Sequence, residues 1–375
     1  MKQGIIAGLL AACLLQVGGP LLGQQQGSTT LLRLYEDDDY LNIRGKGTDD
    51  AYTNGSRIDF FYTHDGPSHS VVDKVLPRAG AGSIDVYGWS IMEMMFTPKN
   101  IGDTAFQPND YPWSGALFVT HSRSSYNPTD HYLLQTEVVA GIIGPAAGAG
   151  PIQAGFHRLI HYRQPRGWRN QFRNDLLLNL NLALEKQLLA LPSGTAARPW
   201  LEFIGGTHLS GGTMDNEASL YTLLRIGRMT PYFNGLLSQF SGPSKAQNSH
   251  KGQWQLYFTA RPQVTAVATN ALLQGGVFSK KPDESTYNAE PATSLNTEAS
   301  GPAGKTSPPS PAPATVIVKS YSPYHRLDGL VYNIDCSAVL AFRRFSISYT
   351  QDWSSALMKG LYTHQFGNFS LYFVL

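Results

Sequence analysis

Apolar and polar residues alternate with a period of two along several segments of the chain. The clearest example is 177–186, where four leucines share one face and less apolar residues share the other: Leu178, Leu180, Leu182 and Leu184 against Asn179, Asn181, Ala183 and Glu185. The last residues repeat this pattern, with one face formed by Phe369, Leu371, Phe373 and Leu375. Successive side chains of a strand point to opposite faces, so these segments are predicted to be strands with one strongly apolar face.

The same pattern predicts about twelve strands along the chain. They lie near 30–36, 53–63, 82–96, 114–122, 132–143, 175–189, 197–211, 216–228, 252–270, 327–340, 342–352 and 365–375. A soluble sheet also alternates, but its outward face is usually richer in charge. An even number of strands is typical of single-chain outer-membrane barrels. We therefore predict an all-β fold, a transmembrane antiparallel β-barrel in the outer membrane.

The composition excludes several other classes of protein. Charged residues make up 15% of the 375 residues and aromatic residues 11%, whereas an ordinary soluble domain has about 25% charged residues. So few charges and so many aromatic residues exclude a disordered chain. The formal net charge of +2 gives no general attraction to nucleic acid. Two cysteines are too few for a disulfide-rich scaffold.

The N-terminus resembles a secretory signal peptide. Lys2 precedes an uncharged run from Gly4 to Gly23 that ends in small residues. A membrane anchor helix is the weaker interpretation, since glycine and proline at 18–20 interrupt the run. A lipoprotein signal ending at Cys13 is a second alternative. We predict a signal peptide at 1–23 and a barrel formed by 24–375.

A segment near 281–314 differs from the rest of the barrel. It is rich in Pro, Ser, Thr, Ala and Glu and contains the run Ser307-Pro308-Pro309-Ser310-Pro311. Such a composition cannot bury a core. We predict a disordered loop insertion between two strands of the barrel.

Acidic residues cluster at the end of the first predicted strand, in Glu36-Asp37-Asp38-Asp39. Adjacent carboxylates repel each other unless a cation or water screens them. The cluster is therefore either a site for a hard cation such as Ca²⁺ or a solvated acidic loop. The segment 48–55, which contains Thr53, opens the second strand; by itself it predicts only a turn followed by a strand.

A short helix is predicted in an external loop, because apolar residues recur with helical spacing over 152–163. Gln153 and His157 are four residues apart and share one face of this helix. His157 is either a buried structural residue or a general base, because the pKa of histidine lies near neutral pH. His161 would continue the same face and is the rival candidate.

Strand parity brings these three groups together. If both ends of the barrel chain are periplasmic, the loops after odd-numbered strands are external. The acidic run and Thr53 flank the first external loop, and His157 lies in the third. All the polar clusters would then lie on one rim of the barrel.

In these residues and in several further motifs, the sequence resembles the outer-membrane lipid A 3′-O-deacylases of the LpxR type. The matching motifs occur in family order, mainly over 31–175: Glu36-Asp37-Asp38, Tyr52-Thr53-Asn54-Gly55, Phe96-Thr97-Pro98, Asp110-Tyr111-Pro112-Trp113-Ser114-Gly115, Gly144-Pro145, Gln153 with His157, and Gly167-Trp168 with Gln171. Beyond 175 the similarity is mainly the strand pattern and Leu272-Leu273-Gln274-Gly275-Gly276.

The resemblance implies a twelve-stranded barrel with a calcium-dependent esterase site at its outer rim. His157 would take a proton from water, and Ca²⁺ held by Asp38 and Asp37 would polarise the ester carbonyl. Asp37 stands where the family usually has an active-site Asn. Thr53 matches a hydroxyl residue near the metal, and Gln153 matches the Gln beside the His. All four residues, His157, Asp37, Thr53 and Gln153, are the expected catalytic group.

The resemblance also implies the substrate, lipid A of lipopolysaccharide within the outer-membrane lipid, and a monomeric protein. Lys99, Arg158, Arg163 and Arg166 are the candidates for contacts with lipid A phosphates, and Arg163 lies where at least one family member has an acid. The competing hypothesis is a non-catalytic barrel of the same fold with a structural or binding role. A porin is disfavoured, because twelve strands leave a narrow lumen.

Overall fold

The structure is a computed structural model that describes residues 30–43, 49–64, 71–193, 196–236, 254–279, 326–342 and 344–375. The predicted signal peptide at 1–23 and the predicted insertion at 281–314 lie outside these residues.

The chain forms a closed antiparallel barrel in which each strand pairs with its neighbours in sequence, and β1 pairs with β12. This confirms the predicted fold class. The twelve strands are β1 (Thr30–Asp38), β2 (Ala51–Tyr62), β3 (Ile84–Thr97), β4 (Ser114–Asn127), β5 (Tyr132–Ile143), β6 (Asp175–Ser193), β7 (Ala196–Gly212), β8 (Asp215–Arg228), β9 (Gln255–Asn270), β10 (Leu330–Ala341), β11 (Phe345–Ser354) and β12 (His364–Val374).

The alternating pattern separates an apolar exterior from a largely polar interior. On β6, Leu178 and Leu180 are exposed while Asn179 and Glu185 are buried. The outward apolar face matches the lipid-facing band of an outer-membrane barrel. The period of two in the sequence therefore reflects the two faces of the strands.

Charged residues of the interior pair with one another. The buried carboxylate of Asp59 accepts hydrogen bonds from Arg33 Nε at 2.6 Å and Arg57 Nε at 2.7 Å, and Arg57 Nη2 lies 3.0 Å from Glu137. A charge that leaves water must be paired to avoid a large desolvation cost. These pairs allow the barrel to hold charge inside while its wall stays apolar.

One end of the barrel is filled by apolar side chains. Strand residues such as Phe96 and Phe118 pack there with residues of the connecting loops: Tyr111, Phe172, Leu272, Leu273, Leu327 and Met358. The loops that follow the odd-numbered strands meet at this end, as the parity argument predicts. Asp38, Thr53 and the loop that carries His157 thus share one rim. The filled lumen adds to the case against a porin.

Within the described ranges, three short α-helices lie outside the strands: α1 (Val71–Val75), α2 (Ala149–Leu159) and α3 (Ala271–Gln274). None of the helices in the described ranges is long and apolar enough to cross a membrane. The short helix predicted in an external loop is α2.

The predicted span of that helix, 152–163, is wrong at its C-terminal end. The chain leaves the helix after Leu159 because His161 adopts a left-handed conformation, with φ at 57°. His161 N donates to Arg158 O at 3.3 Å, and Tyr162 N donates to His157 O at 2.8 Å. This pair of bonds is a Schellman motif, which usually has glycine at the left-handed position. His161 is exposed and outside the helix, so it does not share the face of His157.

Candidate active site at the outer rim

Helix α2 lies against the outside of the barrel wall, next to the first residues of β4. A Cβ atom added to Gly115 would lie 2.3 Å from Ala149 Cβ, so only glycine allows the helix to come this close. Ala149 is buried with Met95, Ile101, Trp113 and Trp168 in a separate cluster. The helix is therefore fixed on the wall through its first turn.

The helix turns its polar side chains toward the wall. Gln153 and His157 are buried, whereas Ile152, Phe156 and Leu159 are exposed. The i, i+4 spacing places Gln153 and His157 next to each other in the cleft, as predicted. This cleft between α2 and the wall is the candidate site.

The ring of His157 is held through Nδ1, while Nε2 faces a carboxylate. Nδ1 lies 2.5 Å from the carbonyl oxygen of Arg163, which can only accept a hydrogen bond, so Nδ1 carries the proton. Nε2 then has the free lone pair of the neutral ring, and it lies 3.3 Å from Asp49 Oδ1. Two acceptors at this distance repel each other unless a proton or a cation lies between them.

The surroundings of His157 favour its protonated form. Burial lowers the pKa of His157, but this effect is outweighed by the hydrogen bonds to Asp49 and to the Arg163 carbonyl and by the charges of Asp49 and Asp39. The pKa of His157 is therefore raised above the ordinary value for histidine. A base with a pKa near the working pH is suited to proton transfer.

Asp49 also belongs to this cleft, although its sequence context did not predict a role for it. It is buried, and its φ of 45° lies in the left-handed region, which is uncommon for a residue other than glycine. Thr97 Oγ1 donates to the Asp49 carbonyl at 2.7 Å and fixes this conformation. Backbone strain of this kind often accompanies a functional position. The sequence around Asp49 predicted only a turn before the second strand.

Thr53 and Gln153 both connect to Asp49. Gln153 Nε2 donates to Asp49 Oδ1 at 3.4 Å, and Gln153 Oε1 accepts from Trp168 Nε1 at 2.7 Å. Thr53 Oγ1 lies 2.7 Å from Thr97 Oγ1, which in turn holds the Asp49 backbone. The structure thus brings His157 and Gln153 to the Asp49 carboxylate, whereas Thr53 reaches only the Asp49 backbone, through Thr97.

Asp37 and Asp38 are not brought together. The Asp37 carboxylate accepts hydrogen bonds from Tyr35 at 2.8 Å, Tyr52 at 2.9 Å and Asn368 at 3.0 Å. Because neighbouring residues of a strand point to opposite faces, Asp37 faces the barrel interior and Asp38 faces the cleft side. The expectation that both carboxylates hold one ion is not matched by this geometry.

The cleft side has acidic residues suited to a hard cation. Asp38 accepts a hydrogen bond from Tyr40 N at 2.7 Å and interacts electrostatically with Asp39 and Asp49. Among the described residues, no three His, Cys, Asp or Glu side chains form a metal-binding group. Calcium also accepts carbonyl oxygens and water as ligands. A Ca²⁺ ion at Asp38 would therefore need backbone carbonyl oxygens and water for most of its ligands.

The basic residues predicted to meet phosphate are exposed around this cleft. Lys99 Nζ lies 5.4 Å from the ring centre of Tyr362. Arg163 Nη2 donates to Asn100 Oδ1 at 2.5 Å, so its guanidinium also ties two external loops together. Arg158 and Arg166 are exposed as well. Their contacts with a substrate stay predictions.

One solved structure with a TM-score above 0.5 agrees with this fold. LpxR from Salmonella typhimurium has a similar structure, with a TM-score of 0.63 at 15% sequence identity over 92% of this chain and 99% of that chain. The β domain of the Bordetella autotransporter BrkA matches with a TM-score of 0.39 at 9% identity, over 92% of this chain and 98% of that chain. No curated protein has a significant sequence match.

The family model described as outer membrane protein LpxR matches residues 9–297, which is most of the chain. This match and the twelve-stranded barrel agree on the outer membrane as the location of the protein. They confirm the resemblance that the motifs indicated. The chain belongs to the LpxR family of outer membrane proteins.

Proposed function

We propose that this chain is a Ca²⁺-dependent lipid A 3′-O-deacylase that hydrolyses the ester of the 3′-acyloxyacyl chain of lipopolysaccharide. Membership of the LpxR family supports an outer-membrane lipid A deacylase. The observation that carries the catalytic part is the buried cleft in which His157 faces Asp49 at 3.3 Å. A histidine held by a carbonyl on one nitrogen is suited to accept a proton on the other.

In the proposed reaction, His157 Nε2 takes a proton from water while the water oxygen attacks the ester carbonyl carbon. Asp49 stabilises the imidazolium that forms, and the Arg163 carbonyl keeps the ring in position. The tetrahedral intermediate then breaks its bond to the sugar oxygen, which takes the proton back from His157. The products are the free fatty acid and the 3′-hydroxyl of the sugar.

Other residues of the chain position these groups. Gln153, which is held by Trp168, orients Asp49, and Thr53 acts on the Asp49 backbone through Thr97. Asp38 would hold the metal, and Asp37 would act only through strand β1, which it ties to Tyr52 and Asn368. Bound Ca²⁺ supplies Lewis-acid polarisation of the ester carbonyl and stabilisation of its oxyanion.

The proposal is tested in cells whose lipid A is unmodified. Expression of the wild type should remove the mass of the 3′-acyl chain from lipid A, as measured by mass spectrometry. His157→Ala should lower the rate about 100-fold or more, since this is what a general base contributes. A chelator should abolish the wild-type activity of purified protein, and added Ca²⁺ should restore it.

His161→Gly is the matched control, because His161 is exposed and lies just beyond the same helix, and glycine removes its imidazole while it keeps the left-handed backbone conformation. It should keep the activity. If it abolishes activity and His157→Ala does not, the assignment of the base is wrong. Unchanged lipid A at full expression of the wild type would instead favour the non-catalytic barrel.

A further inference from the structure

Helix α2 presents an unusual apolar surface at the outer rim. Ile152, Phe156 and Leu159 are spaced i, i+4 and i+7 and are 52%, 44% and 48% exposed. The polar residues Gln153 and His157 lie on the opposite, buried face. A surface helix in water shows the reverse arrangement, with its apolar stripe toward the core.

This surface continues the apolar exterior of the barrel. Helix α2 packs on the outside of β4 at Gly115, so its other side faces away from the wall. The strand that follows the same loop, β6, begins with Leu176 and Leu178, which are 58% and 54% exposed. The barrel exterior contacts lipid, so the exposed face of α2 adjoins an established lipid contact.

The loop that carries α2 is also strongly basic. Residues 144–174 contain five arginines and no Lys, Asp or Glu: Arg158, Arg163, Arg166, Arg169 and Arg173. All five are exposed, and within the described ranges none forms an ion pair with an acidic side chain. Exposed cationic charge beside an apolar helix face is the pattern of helices that bind anionic lipid surfaces.

We propose that α2 is an interfacial helix embedded in the outer leaflet. Ile152, Phe156 and Leu159 contact the acyl chains, while arginines of the loop, such as Arg158 and Arg173, bind the phosphates of anionic lipid headgroups. This inference does not rest on deacylase activity. If the proposed function also holds, the cleft under α2 opens directly into the leaflet, and the ester reaches His157 without leaving the membrane.

Spin labels on the full-length protein in lipid vesicles test the embedding. Cys13 and Cys336 are replaced by Ser, and one cysteine is introduced for labelling at Phe156, at Leu178 on the wall, or at Ala105 in the external loop 98–113. The Phe156 label should match the Leu178 label: relaxed by oxygen and shielded from a water-soluble nickel chelate. A Phe156 label as open to the chelate as the exposed Ala105 label would overturn the proposal.

A second arm tests the headgroup contact. In phosphatidylcholine vesicles, addition of phosphatidylglycerol should increase the shielding of the Phe156 label. The combined variant Arg158→Gln, Arg166→Gln and Arg173→Gln should lose this increase; an unchanged response would rule out the arginines as the anion contact. Repeating the measurement with His157→Ala separates the two proposals, because embedding should persist in a chain that cannot catalyse.

Discussion

At the scale of single residues, the proposed chemistry depends on how His157 is held. The carbonyl of Arg163 determines which nitrogen carries the proton, and Asp49 faces the other nitrogen. The left-handed turn at His161 brings Arg163 back toward the ring, because it ends the helix after Leu159. One backbone conformation thus fixes both the end of α2 and the tautomer of its histidine.

The Asp49→Asn variant should change the pH dependence of activity. Asp49 stabilises the imidazolium, so its removal lowers the pKa of His157 from its raised value. The base works only in its neutral form, so the acidic limb of the pH–rate profile should move to lower pH. The same pair stabilises the fold below the ordinary pKa of histidine, and this contribution is lost as pH rises through the raised pKa.

The pH–rate profile of lipid A hydrolysis checks this, with Asp103→Asn in the neighbouring external loop as the control. A profile of Asp49→Asn that keeps the wild-type acidic limb would show that Asp49 does not act on the base.

Glu93 should be a source of instability. It is 7% exposed, and neither carboxylate oxygen has a hydrogen-bond partner among the described residues. An unsatisfied buried polar group costs about 1–3 kcal/mol. Glu93→Met removes both oxygens at similar volume, so it should raise the free energy of unfolding by about this amount. Urea unfolding in lipid vesicles measures it, and a lower stability of the variant would show that Glu93 has a partner in the folded protein.

Local spacing in the sequence placed Gln153 and His157 on one helix face, whereas the choice of His157 over His161 and the selection of Thr53 came from the family resemblance. The sequence could not identify Asp49, because the contact joins two loops that are far apart in sequence. It also grouped Asp37 with Asp38, although strand alternation separates adjacent side chains. Because β1 continues through Asp38, the side chains of Asp37 and Asp38 point to opposite faces of the strand.

At the scale of elements, the strand predictions held where apolar and polar residues alternate, as in β6, where Leu178 and Leu180 are exposed and Asn179 and Glu185 are buried. Helix α2 was predicted from the helical spacing of its apolar residues, but this spacing did not predict that the helix ends at Leu159. His161 takes the left-handed position that glycine usually occupies, so no glycine marked the end of α2. Packing rather than periodicity also determines where the helix lies.

The close approach of α2 to the wall should be essential for activity. A Cβ at Gly115 would lie 2.3 Å from Ala149 Cβ, and neither atom is the flexible end of a long side chain. Gly115→Ala should therefore shift the helix and move His157 relative to Asp49. A shift of about 1 Å in a catalytic group can cost about 100-fold in rate.

Gly82→Ala is the matched control, since its added Cβ would meet no atom within 4 Å. Deacylation rates of the two variants, measured beside their unfolding midpoints, separate misplacement from misfolding. Equal rates for Gly115→Ala and wild type would show that the helix position tolerates movement.

At the scale of the whole molecule, the barrel has a lipid-facing wall, an interior in which charged side chains form pairs, and an apolar plug. The plug is the cluster at the outer end that includes Phe96, Phe118, Tyr111, Phe172, Leu272 and Met358. The low charge of the composition has a structural reason, because the outward half of each strand must be apolar. Among the described residues, several of the remaining charges pair inside the barrel, such as Asp59 with Arg33 and Arg57, and others lie at the external rim. At the rim, exposed charged side chains are available to bind a ligand.

The plug predicts that the protein does not conduct ions like a porin. Buried residues from the strands and the external loops, including Tyr111, Phe172, Leu272 and Met358, fill the lumen at the outer end. Purified wild type should give no steady current in planar lipid bilayers. Replacing Leu272 and Met358 with Ala should destabilise the plug by about 2–5 kcal/mol per site and produce intermittent channel openings. A large steady wild-type current would show that the loops do not close the barrel, and the porin hypothesis would then have to be reconsidered.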